Sequence, residues 1–222
     1  MNWAEIFNLY YTLYRLEAQV PDASDDEYAI ALRLSREAID RWSRYEDTFW
    51  SELYAVAALT TDGTGTYTAP TNMLKPAGQI QIGNRHVAII DPNEAQFQGA
   101  QSRYAFFTGN SSSGYTLNLN PATNTAGQPI SFLYFKKPTQ MVNAASVPDM
   151  SNPEYIVHRM LAMRFRGSRN WTAYQTALRD SEDILKTMKL ENDTGTAANP
   201  FSLPDRSGAV FGADGNSNSF WT

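Results

Sequence analysis

HRMLAMRFRGSRNW, residues 158–171, holds four arginines, one histidine and one tryptophan in a chain of 222 residues with a formal net charge of −5. Leu161 and Phe165 continue an apolar stripe at a spacing of four residues, which predicts a helix. Gly167 interrupts this helix, and Asn170 can cap a second helix that follows it. The stretch therefore predicts two consecutive helices with a sharp break between them.

The two helices around this break have recognisable ends and apolar sides. The first begins at a cap signal, either Ser151 with Glu154 or Asn152 with Pro153 at the first helical position. The second is predicted to bury a series on its inner side: Trp171, Tyr174, Leu178, Leu185 and Met188.

Helical spacing also dominates the N-terminal part of the chain. Residues 3–17 suit a short helix, and Ser24 with Glu27 reads as a capping box at the start of another. That helix is predicted to be about 30 residues long, because apolar residues recur at helical spacing far beyond its start. The series is Tyr28, Leu32, Ala38, Ile39, Trp42, Tyr45, Phe49, Leu53 and Val56.

The region between the helical parts is rich in Gly, Asn, Thr and Pro, with short strand-like runs. The best strand candidates are IQIGNRHVAII (80–90), YAFFTG (104–109), YTLNLN (115–120) and ISFLYF (130–135). NSSSG, residues 110–114, reads as a hairpin loop. We therefore predict an α+β fold, a helical bundle with an inserted small β-sandwich or barrel and an extended C-terminal arm.

Four segments follow from this organisation. Residues 1–59 supply the N-terminal helices of the bundle, 60–149 the inserted β domain, 150–190 the C-terminal helices, and 191–222 the arm. The arm is too poor in apolar residues to fold alone. A disordered terminus is one reading of it. The other is a segment that orders on a partner, because its aromatic residues are spaced like anchors.

Charge is distributed unevenly between the helical segments. Residues 1–57 hold 11 acidic and 5 basic residues, a net charge of −6, whereas residues 155–189 hold 7 basic and 3 acidic residues, a net charge of +4. Opposite charges on separate segments predict mutual pairing, within a subunit or between copies.

The arginines of the opening stretch separate by helical angle. Arg159, Arg166 and Arg169 fall within about 80° of one another, and Arg164 lies beside the apolar stripe. Three interpretations of this three-arginine face are open. It is a helix surface exposed to solvent, an interface between subunits, or the lining of a DNA channel. Of the two functional readings, the acidic N-terminal helices favour the subunit interface.

No signature of an enzyme or of a cofactor site is present. The chain has no cysteine, which excludes thiolate nucleophiles and Cys-based zinc sites. His86 and His158 lack metal-ligand spacing, and the acidic run 25–27 is what the first turn of a helix favours. No signal peptide or membrane-spanning run is apparent, so we expect a protein made in cytoplasm that needs no cofactor.

The segment YIVHRMLAMRFRGSRNWTAYQTALRDSEDILKTMKLEN (155–192), followed by AANP (197–200), resembles head-to-tail adaptor (connector) proteins of tailed bacteriophages. AIDRWSRYEDTFWSEL (38–53) is similar to the long helix of that family. The resemblance covers the helical segments and the tail, about half of the chain.

The resemblance implies a non-enzymatic virion protein at the head–tail interface, assembled in host cytoplasm. It implies a ring, usually of twelve copies, that lies between the portal and a tail nozzle or tube protein and lets DNA pass without sequence-specific binding. It further implies that residues 191–222 clasp the portal. The expected anchors in that arm are Pro200, Phe201, Phe211, Phe220 and Trp221.

Two rival functions are weighed against the adaptor. A carbohydrate- or host-surface-binding module would use aromatic residues of the β domain as a platform, namely Tyr104, Phe106, Phe107 and Tyr115, although alternating aromatics in strands more often form a core. An enzyme would have to use carboxylates that show no spacing signature.

Overall fold

A computed structural model describes residues 1–15, 22–99 and 102–198, the side chains of 195–198 excepted. The chain divides into two compact units. One unit, called here the β unit, comprises Met1–Ala4 and Glu52–Met150, and the other, the helical unit, comprises Glu5–Ser51 and the described residues from Ser151 onward. The predicted α+β class is confirmed.

The β unit contains one seven-stranded sheet in the order β1-β7-β3-β4-β5-β6-β2. All neighbouring strands are antiparallel except β4 and β5. The strands are β1 (Tyr54–Thr60), β2 (Thr66–Thr68), β3 (Met73–Ile82), β4 (Arg85–Ile89), β5 (Tyr104–Asn110), β6 (Gly114–Leu119) and β7 (Pro129–Lys136), and the short helix α3 (Pro92–Ala95) lies between β4 and β5.

The sheet is strongly curled. In the strand order, β5 and β7 are three positions apart, which in a flat sheet would be about 14 Å. The rings of Phe107 on β5 and Phe132 on β7 nevertheless have centroids only 5.3 Å apart. Curling closes one face over a core that includes Ile80, Leu117 and Ile130. The predicted β region is therefore a single barrel-like sheet.

Local turn chemistry explains two of the strand connections. Gly83 and Asn84 join β3 to β4, and Gly83 has φ +56° at the first central position, where type II′ turns favour glycine. The loop between β5 and β6 follows the predicted NSSSG hairpin, in which the Asn110 side chain accepts hydrogen bonds from the backbone N–H groups of Ser112 and Ser113.

The helical unit contains α2 (Asp26–Ser43), α4 (Glu154–Gly167), α5 (Trp171–Ala198) and most of α1 (Trp3–Arg15). Its core includes the indole of Trp42 and the buried face of α4. The predicted break in the opening stretch is confirmed. Helix α4 ends at Gly167, and the Asn170 side chain accepts a hydrogen bond from the N–H of Ala173 at 3.3 Å.

The predicted 30-residue helix is wrong. Helix α2 ends at Ser43, and a tight turn with positive φ at Glu46 and Asp47 follows. This turn reverses the direction of the chain and brings Trp50 against Trp42, with their ring centroids 5.4 Å apart. The indole N–H of Trp50 donates a hydrogen bond to the Trp42 carbonyl oxygen. Phe49 lies beyond the helix, Leu53 ends a short 3₁₀ turn, and Val56 lies on β1.

Three smaller expectations also differ from the structure. Ser24 does not cap α2, because the N-cap residue is Asp25 and no side chain caps it. Trp171 is 57% exposed instead of lying on the inner side of α5, where Leu185 and Met188 are buried as predicted. Helix α5 extends to Ala198, so the first eight residues of the expected arm are helical.

Candidate functional site

Two of the three arginines in α4 are engaged within the chain. Arg164 donates to the Glu27 carboxylate with Nη2 and Oε2 2.7 Å apart, and its guanidinium lies 5.2 Å from the ring centroid of Tyr14. Arg159 lies with Nη1 3.6 Å from Oε1 of Glu182 on α5. These side chains are one-quarter exposed or less, so both pairs tie helices together.

Arg159 belongs to a small charged cluster between α2 and α5. The same Glu182 oxygen also lies 3.4 Å from Nη2 of Arg41. Beneath this cluster is the hydroxyl of Tyr155, which is buried and has no hydrogen-bond partner among the described residues. Burial is the main cause that raises the pKa of Tyr155 to about 12.

A second contact joins the turn after α2 to α5. The Nζ of Lys189 lies 2.6 Å from Oε2 of Glu46, and this hydrogen bond holds the pKa of the Glu46 carboxyl below its usual range and raises that of Lys189. Since Glu46 and Glu27 belong to the acidic N-terminal segment, the predicted pairing of acidic and basic segments occurs here within one chain.

Arg166 and Arg169 remain exposed, and no ion pair involves either in the described part of the chain. Arg169 has φ +60° at the end of α4, a conformation that usually requires glycine. The N–H of Asn170 donates to the Phe165 carbonyl, and that of Arg169 to the Arg166 carbonyl, which is the Schellman pattern. The predicted three-arginine face therefore divides into one internal residue and two residues open to solvent.

The aromatic residues weighed as a sugar platform lie on two different faces of the sheet. Tyr104 and Phe106 stack at 6.4 Å on one face. Phe107 is buried on the other face, where its ring meets Tyr115 edge-on at 6.4 Å. The four rings therefore do not form one surface, and Phe107 belongs to the core.

The remaining candidate residues add no chemical centre to the described regions. His86 is exposed, and Nδ1 of His158 lies 3.9 Å from Oδ2 of Asp180. Among residues 1–15, 22–99 and 102–198 no group of three metal-ligating side chains occurs. The predicted arm anchors lie outside the described residues: Pro200, Phe201, Phe211, Phe220 and Trp221.

Sequence reasoning missed the role of Arg164 and its partner Glu27. The sequence predicts a capping box that includes Glu27, whereas α2 begins one residue before it. The available signal was the position of Arg164 beside an apolar stripe. A guanidinium held there is half-buried and needs a carboxylate, which the acidic N-terminal segment could supply.

The protein is an α+β protein of two compact units. Within its helical unit, ion pairs join α2 to α4 and the turn after α2 to α5. The family model of the SU10 adaptor protein matches residues 1–202, and the chain belongs to that family. It is therefore an adaptor-type component of a bacteriophage virion, which is the general class of protein that the sequence resemblance implied.

No curated protein matches the sequence. Within the described residues, every helix is too short or too polar to cross a bilayer.

Proposed function

We propose that the protein forms a ring between the portal and the tail at the capsid vertex, docks the tail, and lets the genome pass. The family match over residues 1–202 carries this proposal. We propose twelve copies, with one patch of each subunit contacting a different patch of the next, as a closed ring requires. The ring assembles in host cytoplasm, and it needs neither a cofactor nor enzymatic activity.

The proposed contact with the portal is the C-terminal arm. Helix α5 ends at Ala198, so the arm comprises residues 199–222. A chain of this length spans at most about 80 Å when extended. Phe201, Phe211, Phe220 and Trp221, together with Pro200, supply apolar anchors in an otherwise polar segment.

The experiment that tests this function is assembly on purified portal rings. Full-length protein should co-sediment with portal, and the mass of the complex should give twelve adaptor copies. Deletion of residues 199–222 should abolish co-sedimentation and leave the thermal unfolding temperature unchanged, because the composition of this segment is too poor in apolar residues to add a folded core. A matched variant in which these residues are shuffled controls for length. Undiminished portal binding by the truncated chain would refute the arm assignment.

For the arginine face, we propose that the exposed Arg166 and Arg169 contact a neighbouring copy. Arg166→Glu should weaken ring formation without a change in thermal stability. Arg159→Glu should weaken it through the fold, since it places a second carboxylate against Glu182. Unchanged assembly of Arg166→Glu, with a changed salt dependence of DNA retention, would instead assign the face to the channel.

A further inference from the structure

One end of the β unit contains a cavity of about 370 Å³. Arg85, at the start of β4, and Arg103, just before β5, are two of its lining residues, and each carries a guanidinium group. The other lining side chains are uncharged: Ile82, Asn84, Val87, Ala122, Thr123, Thr125 and Gln128. A cavity with two cationic groups and no acidic lining residue has the electrostatics of an anion site.

The two arginines are available for an external ligand. Both are exposed, and the described part of the chain supplies neither an ion pair nor a hydrogen bond to their side chains. In the helical unit, by contrast, Arg159 and Arg164 are paired with carboxylates. The planar guanidinium fork fits a carboxylate through two parallel hydrogen bonds.

The cavity wall is held in place by hydrogen bonds of the backbone and of two side chains. The N–H of Gly83 donates to the Pro129 carbonyl at 2.8 Å, which fixes the turn that carries Asn84. In the lining segment 120–123, the Asn120 side chain accepts a hydrogen bond from the N–H of Ala122, and the Thr123 hydroxyl donates to the Asn120 carbonyl at 2.7 Å. A preformed wall lowers the entropy cost of binding.

The charge pattern favours a carboxylate of a protein over a DNA phosphate. Binding to duplex DNA uses a row of cations along a surface. Residues 58–149 hold only 5 basic and 4 acidic residues, and two of the five bases line this one cavity. The site therefore suits a local acidic segment.

The chain itself exposes such a segment. Asp22, Asp25 and Asp26 are all exposed, and in the described regions none forms an ion pair. The Asp25 carboxylate accepts a hydrogen bond from the N–H of Asp22 at 2.9 Å, which folds the segment into a compact turn. Three carboxylates thus project within five residues, and they complement the two guanidinium groups in sign.

We propose that the cavity walled by Arg85 and Arg103 binds the acidic segment Asp22–Asp26 of a second copy of the chain. The inference rests on the proposed ring, because the two patches differ and so make the head-to-tail contact that closes a ring. It adds a specific interface to that proposal, separate from the arm and from Arg166 and Arg169.

Cysteine cross-linking tests the contact directly, since the chain contains no cysteine. Copies carrying Asn84→Cys are mixed with copies carrying Ala23→Cys, assembled on portal rings and oxidised. We expect covalent heterodimers in the mixture and none from either variant alone. A control pair, Asn84→Cys with Thr176→Cys on the exposed face of α5, should remain uncross-linked. Rings that form without Asn84–Ala23 heterodimers would overturn the inference, whereas failure of any ring to form would refute the proposed function.

Charge reversal provides an independent readout. Arg85→Glu with Arg103→Glu should raise the concentration needed for ring formation at least about tenfold. Adding Asp22→Lys and Asp26→Lys to the same chain should restore most of the lost assembly, because the charges on the two sides of every contact are then exchanged and remain opposite in sign. Arg44→Glu with Arg179→Glu makes the same charge change at exposed positions elsewhere. Loss of assembly in the cavity variant without rescue would show that another partner occupies the cavity.

Discussion

Removing the charge of Arg164 should destabilise the helical unit strongly. Arg164→Met retains the apolar stem and breaks the 2.7 Å contact with Glu27 as well as the cation–π contact with Tyr14. Breaking a buried pair costs about 3–5 kcal/mol when one charge is left behind. Because the two side chains are 25% and 17% exposed, water compensates in part, and we expect a loss of about 2 kcal/mol.

The assay is urea unfolding followed by helical circular dichroism, on Arg164→Met, Glu27→Gln and the double variant. The double-mutant cycle should give a coupling free energy of about 1–2 kcal/mol. Arg166→Met is the matched control, since Arg166 lies on the same helix without an ion pair in the described regions, and it should change stability by less than about 0.5 kcal/mol. A coupling near zero, or equal losses for Arg164→Met and Arg166→Met, would refute the role assigned to this pair.

Three further substitutions test other parts of the fold by urea unfolding. Tyr155→Phe should raise the free energy of unfolding by about 1 kcal/mol, because it removes a buried hydroxyl that lacks a partner among the described residues. It should also reduce the alkaline loss of stability. Burial raises the pKa of Tyr155 from 10.0 to about 12 in the folded state, so this group makes stability fall as the pH rises from about 10 to about 12. An unchanged alkaline profile would contradict this. Arg169→Gly should stabilise by about 1 kcal/mol by relieving the left-handed backbone at φ +60°, and a loss of stability would be the contrary result. Gly109→Ala should destabilise the sheet by about 2 kcal/mol or more, because φ is +92° and the new Cβ would overlap the Gly114 carbonyl oxygen; tolerance of alanine would contradict the hairpin geometry.

Local chemistry explains which elements were predictable from the sequence. The end of α4 and the start of α5 depend on Gly167 and Asn170, whose effects act within one turn. Likewise the Asn110 loop is closed by hydrogen bonds to residues two and three positions later. Such signals need no information about the rest of the chain.

The failures arose where distant contacts decide the conformation. Trp42 and Trp50 are eight residues apart, a spacing that fits one side of a helix, but the two rings instead meet across a reversal of the chain. Strand β1 was missed because its sequence, YAVAALT, is rich in alanine and favours helix in isolation. Its pairing with β7, whose residues lie 69 to 81 positions later in the chain, overrides that preference.

The same limit applies to the arginines. A helical wheel shows which side chains share a face, but it does not show what lies opposite that face. Arg164 meets a carboxylate 137 residues earlier in the chain, and Arg159 meets Glu182 on the next helix. Only Arg166 and Arg169 keep the exposure that the predicted interface required.

Charged side chains that form ion pairs within the chain are expected to stabilise the fold of this adaptor, whereas exposed arginines without such a pair are expected to act in assembly. Arg159 and Arg164 are engaged within the chain in pairs whose side chains are at most one-quarter exposed, so changing them should alter the thermal unfolding temperature first and assembly only as a consequence. Arg166 and Arg85 are exposed, so reversing their charge should alter assembly at nearly constant thermal stability. Measuring both quantities for each variant therefore distinguishes an interface residue from a structural one, which an assembly assay alone cannot do. If the exposed arginines lowered the unfolding temperature as much as the paired ones, the separation proposed for these two groups would be wrong.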